Sequence, residues 1–300
     1  MDPIDIVLVE PLGDDFSPSL FTKGNSLEPV SLEWLAAYVQ ANAPQGRYDI
    51  TVVQQRGESD QQLVDAICDL HPAVVGLSMR THYYGRCKEM AMQIKQRLPS
   101  TLIVVGGHHP SIAHEVGFEP QFDVAVIGEG EVTFFEVMEI WREYLCSRLG
   151  AESHLSWDEA VSQREVAGIS CIRDGREYLG PRRARIGDLD SLPLPVRSEG
   201  MLRDCRQWNL VYPIPERQRC VAQVSWSRGC NGRCTFCTSP VLWEGDDDGS
   251  TVHSGPVDDF AKAIRQGRPP QTGLEQALLV QRISDAIYRS ASTGTAAPVV

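Results

Sequence analysis

Between residues 4 and about 145 the chain alternates short, continuous apolar runs with longer stretches whose apolar residues recur every three to four positions. Continuous apolar runs suit strands buried on both faces and the three-to-four spacing suits amphipathic helices, so the alternation predicts a parallel sheet covered on both sides by helices. IDIVLVEP opens the pattern as a strand closed by Pro11, and SLEWLAAYVQ follows with Leu32, Leu35, Ala36 and Val39 at helical spacing. YDITVVQQ reads as the second strand, after which Ser59 and Gln62 have the spacing of a capping box opening QQLVDAICDL. AVVGLSM, TLIVVGG and FDVAVIG supply three more strands, separated by the helical stretch YGRCKEMAMQIKQRL and a short irregular HEVGF segment. EVTFFEVMEIWREYL closes the unit as a helix. The prediction is a five-stranded, doubly wound α/β domain over residues 1–145.

The rhythm then breaks. Residues 146–220 read as a connector in which AGISCIRDGREYLG predicts a strand pair turning at Asp174-Gly175, while Pro193 and Pro195 interrupt regular structure in IGDLDSLPLPVRSEG. VAQVSW is one further strand-like run. Past residue 245 the polar, glycine-rich DDDGSTVHSG precedes two amphipathic helical patterns separated by Pro269 and Pro270, with no further strand-helix repetition.

Composition narrows the classes of function. The chain has 300 residues, 42% of them hydrophobic, enough to bury the core of about two domains. A formal charge of −12 disfavours a nucleic-acid partner, because binding phosphates draws on clustered Lys and Arg. The one basic run, around Arg182, Arg183 and Arg185, is short and reads as a solvated loop. Nine cysteines, an odd number with six of them scattered, argue against a disulfide framework and for a reducing cytosol. The acidic start MDPIDIVLVEPLGDD does not read as a signal peptide, and no run nears the roughly 18 apolar residues a membrane helix needs. A soluble cytoplasmic protein with neither nucleic acid nor membrane as partner is expected.

In open α/β sheets ligands bind at the carboxyl ends of the strands. The turns there are Ser78 to Tyr83, Gly106 to Pro110 and Gly128 to Glu131. Glycine pairs at such turns either ease a tight strand exit or admit a ligand close to the backbone. No GxGxxG opens a helix after the first strand, so the nucleotide-binding signature is missing.

The densest chemistry lies in SRGCNGRCTFCTSP, where Cys230, Cys234 and Cys237 form a CxxxCxxC array. A [4Fe-4S] cluster normally takes four cysteine ligands, so a local set of three leaves one iron open to a small molecule. The alternative is zinc, whose usual sites pair two CxxC knuckles or CxxC with two histidines. There is no second knuckle, and the nearest downstream histidine, His253, stands alone.

With Phe236 just before the last cysteine and VAQVSW ahead of the first, the array resembles the radical S-adenosylmethionine (SAM) family. The resemblance implies that SAM chelates the open iron, that one electron from the cluster cleaves it to a 5'-deoxyadenosyl radical, and that Phe236 lies by the adenine. GLSMRTHYY, VVGGHHPS and VIGEGE, in that order, together with DLDSLPLP, resemble the subclass in which a cobalamin (B12)-binding domain precedes the radical SAM domain. That likeness covers residues 4 to about 245. It implies that Ser78, Gly106 and Gly107 flank the dimethylbenzimidazole tail and that Gly128, Glu129 and Gly130 line the same pocket. The first-strand loop EPLGDDFSP lacks the histidine of the DxHxxG motif, so cobalamin without a histidine ligand from that loop is implied. His82, His108, His109 and His114 lie near other strand ends.

A complete radical SAM barrel takes roughly 200 residues or more. Residues 221–245 carry only its first strand and cluster loop, and residues 246–300, through PVDDFAKAIRQGRPPQT and DAIYRSA, resemble the C-terminus of Gfo/Idh/MocA oxidoreductases. The expectation is a cobalamin-dependent radical SAM enzyme, with methyl transfer the favoured reaction, an incomplete barrel and impaired turnover. Its cofactors would be a [4Fe-4S] cluster, SAM and cobalamin; its partners, a small-molecule substrate and a reductant protein such as flavodoxin or ferredoxin. A non-catalytic cofactor-binding or interaction module, and a fragment of an oxidoreductase of the tail's family, are the alternatives.

Overall fold

The computed structural model describes residues 2–12, 29–55, 58–149, 156–197, 228–229 and 263–269, with scattered positions between 275 and 298. The chain divides into two units, Met1–Ser198 and Glu199–Val300.

In the first unit, five parallel strands run in the order β2 (Tyr48–Gln54), β1 (Ile4–Glu10), β3 (Val74–Ser78), β4 (Leu102–Gly106) and β5 (Val124–Val126). Their continuous apolar runs divide by the two-residue period of a strand. Ile6 and Leu8 of β1 pack with Val104, Val124 and Val126 toward helices α1 (Val30–Asn42) and α5 (Glu131–Leu149). Val7 and Val9, alternating with them, pack with Val75, Leu77, Ile103 and Val105 toward α2 (Asp60–Asp69) and α3 (Tyr84–Arg97). Phe134, Met138, Leu63, Ile67, Met90 and Ile94 are the helical contributions, each under 2% exposed. Truncating any one to alanine would cost about 2–5 kcal/mol by lost transfer energy and the cavity left behind. The capping box forms as read, with Gln62 N–H donating to Ser59 Oγ at 3.2 Å and Ser59 N–H to Gln62 Oε1 at 2.8 Å.

The sheet has seven strands rather than the five expected. A short helix, α4 (His108–Ile112), and a one-turn segment, His114–Phe118, separate β4 from β5, and α6 (Trp157–Ser162) precedes the hairpin of β6 (Ile169–Arg173) and β7 (Arg176–Leu179). β6 pairs antiparallel with β5, matching Ala125 with Ser170 and Val126 with Ile169, so the predicted hairpin is part of the sheet and not a separate connector element. Asp174 (φ 52°) and Gly175 (φ 69°) make its turn, both in the left-handed region that a two-residue hairpin loop requires. β5 is only three residues long and leaves its outer edge to be paired; Ile169 and Cys171 bury against α5 and α6 when the hairpin docks there.

In the second unit, residues 263–266 are helical and helical positions recur from 275 to 293. VAQVSW, and with it the predicted start of a barrel, lies outside the described residues. No helix among the described residues is long and apolar enough to cross a membrane.

Candidate ligand-binding loops at the strand ends

The carboxyl ends of the parallel strands share one edge of the sheet. Strand order reverses between β1 and β3, which places a crevice at their carboxyl ends. Ser78 and Gly106, the last residues of β3 and β4, are register partners beside it.

Backbone hydrogen bonds join the loops that follow. Met79 N–H donates to the Gly106 carbonyl at 2.7 Å, and His109 N–H donates to the Met79 carbonyl at 3.0 Å. Gly107, between them, has φ +101°, and a Cβ there would stand 3.0 Å from the Met79 carbonyl oxygen. Glycine is demanded at that position by both backbone angle and close approach. At Gly106 an added Cβ would meet only Val126, at 3.7 Å, so nothing inside the protein requires that surface to be bare. Ser111 ties in the third loop: its Oγ donates to the Gly107 carbonyl at 2.8 Å and accepts the Gly128 N–H at 2.9 Å. The predicted residues Ser78, Gly106, Gly107, Gly128, Glu129 and Gly130 therefore lie along one hydrogen-bonded edge. Glu129 also accepts the backbone N–H of Ile186 at 2.7 Å, a contact from a segment far along the chain.

Charged groups border the crevice. The Glu10 carboxylate at the end of β1, 7% exposed, accepts from Gln54 Nε2 at 2.7 Å and pairs with Arg80 of the β3 loop at 3.3 Å. Burial, and after it the Arg80 guanidinium, pushes the His82 and His108 imidazoles below their ordinary range. Burial does the same to His109, against the opposing charges of Glu119 and Glu115. In all three rings burial thus works against the charged form. His109 Nδ1 lies 3.2 Å from Thr81 Oγ1, and its ring is 4.9 Å from that of Tyr84.

The sequence reading did not single out Glu10, Gln54 or Ser111, and it covered Arg80 only as part of the Ser78 to Tyr83 turn. The first two carried a signal, a polar residue closing an otherwise apolar strand run; Arg80 and Ser111 carried none.

Among the described cysteines, burial pushes the Cys87 and Cys171 thiols up to about 12, and raises that of Cys68, so these are packing groups and not nucleophiles. No group of three His, Cys, Asp or Glu that could hold a metal occurs among the described residues. Cys230, Cys234, Cys237 and Phe236 lie outside them.

Residues 20–138 match the family model of the B12-binding domain. The match ends within α5 and spans the turns after β3, β4 and β5 just described. Over 182 residues the chain is 30% identical to a cobalamin-dependent radical SAM methyltransferase, TokK, of Streptomyces tokunonensis, covering 59% of this chain and 23% of that protein. Over 230 residues it is 26% identical to an anaerobic magnesium-protoporphyrin IX monomethyl ester cyclase of Rubrivivax gelatinosus, covering 72% of this chain and 35% of that protein. The structure of the cobalamin-dependent SAM radical enzyme OxsB with aqua-cobalamin and SAM bound aligns at a TM-score of 0.47 and 19% identity, over 64% of this chain and 24% of that one. The chain thus spans about a quarter to a third of these relatives' lengths.

Proposed function

We propose that this chain is a cobalamin-binding sheet unit followed by the cluster-binding segment of a radical SAM enzyme, and that the reaction it serves is methyl transfer. The observation that carries this reading is the B12-binding match over residues 20–138, whose strand-end loops are cross-linked into one edge that includes the adjacent glycines Gly106 and Gly107. Ser78, Gly106 and Gly107 would receive the buried tail of cobalamin, and Gly128, Glu129 and Gly130 would line the neighbouring wall. The residues fit such a group: an inserted tail needs backbone free of side chains beside it, and the adjacent Gly106 and Gly107 present none at the end of β4. The loop after β1 holds no histidine, so no imidazole from that loop would reach the cobalt.

Cys230, Cys234 and Cys237 would hold a [4Fe-4S] cluster, since three thiolates at this spacing satisfy three irons and leave the fourth for SAM, with Phe236 against the adenine. When bound, cobalamin supplies a transferable methyl group and the cluster supplies the electron that cleaves SAM. A reductant protein such as flavodoxin or ferredoxin would deliver that electron, and the acceptor of the methyl group is a small molecule.

Hydroxocobalamin dialysis tests the first half. Stoichiometric binding is expected, with an electron paramagnetic resonance spectrum of the Co(II) form that lacks nitrogen superhyperfine splitting from an axial imidazole. No binding, or imidazole splitting, would overturn it. Anaerobic reconstitution with iron and sulfide tests the second half: about one [4Fe-4S] cluster and 5'-deoxyadenosine from SAM are expected. Cobalamin binding without a cluster or 5'-deoxyadenosine would leave a non-catalytic cofactor-binding module.

A further inference from the structure

After the β6–β7 hairpin the chain does not leave the domain but returns along it as an extended strap, residues 181–197, interrupted by one turn of 3-10 helix at Leu189–Ser191. Four sets of contacts fasten it. Pro181 accepts the Gly168 N–H at 2.8 Å; Arg183 Nε donates to Thr133 Oγ1 at 2.6 Å while its guanidinium pairs with Glu136, both on the first turns of α5. The Ile186 N–H donates to Glu129 Oε2 at 2.7 Å. Finally, Val196 N–H reaches the Glu33 carbonyl at 3.4 Å, and Arg197 lies 3.9 Å from the Glu33 carboxylate on the first turn of α1. The strap is thus laid across the N-terminal ends of α1 and α5, the two helices on one face of the sheet, at the edge where the strand-end loops lie.

From this we infer that Glu129 is a positioning residue: it latches the strap 181–197 as a rim of the ligand crevice, so that order in the strap and occupancy of the strand-end loops are coupled. The inference rests on the cobalamin reading above. The physical path is short. Gly107 is bonded to Ser111, Ser111 to Gly128, and Gly128 precedes Glu129, whose carboxylate holds the strap. A ligand that stiffens the Gly106–Gly107 turn therefore stiffens the element presenting the latch. Of the contacts given above, the Glu129 carboxylate comes from a strand-end loop, whereas Thr133, Glu136 and Glu33 belong to helices and Gly168 lies just ahead of β6. A carboxylate accepting a backbone N–H is a charge-assisted hydrogen bond, stronger than a neutral one.

The test uses the full chain, its Glu129→Ala and Glu129→Gln variants, hydrogen exchange and hydroxocobalamin titration. In the ligand-free wild type the Ile186 amide should exchange slowly; Glu129→Ala should speed exchange across residues 182–192 while leaving β3 and β4 unchanged. Hydroxocobalamin should slow strap exchange in the wild type, and Glu129→Ala should weaken its binding about three- to tenfold and abolish that slowing. Glu129→Gln keeps an oxygen acceptor and should recover most of both effects, which a residue needed only for its charge in the pocket would not do. Equal strap exchange in wild type and Glu129→Ala overturns the latch, whether or not cobalamin binds. A loosened strap with unchanged cobalamin affinity overturns the coupling. A wild type that ignores hydroxocobalamin altogether while Glu129→Ala still frees the strap overturns the cofactor reading and the coupling, and upholds only the latch.

Discussion

Adjacent glycines at the end of β4 carry different physical burdens. Gly107 is held at φ +101° with the Met79 carbonyl 3.0 Å from where a Cβ would sit, so Gly107→Ala should destabilise the fold by about 1–3 kcal/mol through backbone strain and crowding. Gly106 has neither constraint. Gly106→Ala should leave urea stability within about 0.5 kcal/mol of wild type, because its methyl group would meet Val126 at an ordinary contact distance of 3.7 Å, yet weaken hydroxocobalamin binding about tenfold through the bulk added at the turn proposed to receive the cofactor. Paired urea melts and dialysis measurements separate the two cases. Equal losses of stability, or undiminished binding by Gly106→Ala, would count against a ligand at this turn. Both glycines were legible as a pair in VVGGHHPS, but which one the backbone demands was not, since that depends on Met79 returning across from another loop.

At the scale of elements, the docking of the hairpin on β5 and the start of α2 both draw on contacts from distant parts of the chain. Gly117, in the segment beneath β6, would place a Cβ 2.2 Å from Ser170 Oγ and 2.3 Å from the Ser170 carbonyl oxygen. Gly117→Ala should therefore push β6 off β5, costing about 2 kcal/mol or more and raising hydrogen exchange in Ile169–Leu179 ahead of the parallel strands. At the start of α2, the hydrogen bond from Arg86 holds the Asp60 carboxyl below the usual carboxylate range, helped by Gln55 and opposed by burial. Because the folded-state value is depressed, the unfolded chain binds the proton more readily. The contribution is complete above about pH 4 and disappears as pH falls through the folded-state value. Asp60→Asn should lower stability by about 0.5–1 kcal/mol at pH 7, a modest figure since the pair is partly solvated, and the gap should close near pH 2 in urea titrations.

For the whole molecule, the cobalamin-site candidates all lie in Met1–Ser198 and the three motif cysteines all lie in Glu199–Val300. Cys234→Ala in the full chain should therefore abolish cluster absorbance after reconstitution while hydroxocobalamin affinity stays within about twofold of wild type. Loss of both together would show one interdependent site. The formal charge of −12 adds a further expectation, that binding to duplex DNA stays undetectable at physiological salt, because net repulsion from the phosphates outweighs what the short basic run at Arg182, Arg183 and Arg185 would gain by counterion release.

How far the chain alone determined this picture follows from the range of the interactions. The five strands, the helices on both faces, the Ser59 capping box and the glycine-bearing turns all depend on neighbours within a few residues, through side-chain alternation, helical spacing and capping, and so can be read in order along the sequence. The seven-stranded sheet cannot: pairing β6 with β5 joins Val126 to Ile169, and AGISCIRDGREYLG carries no local mark of which edge it will find. The strap and its latch are likewise tertiary, since Ile186 reaches Glu129 across 57 positions and only the folded sheet brings the two together. Residue types and their order thus decided what chemistry the chain offers, whereas the long-range closure of loops and edges, whose entropic cost only a formed core can offset, decided which residues stand beside one another at the strand ends.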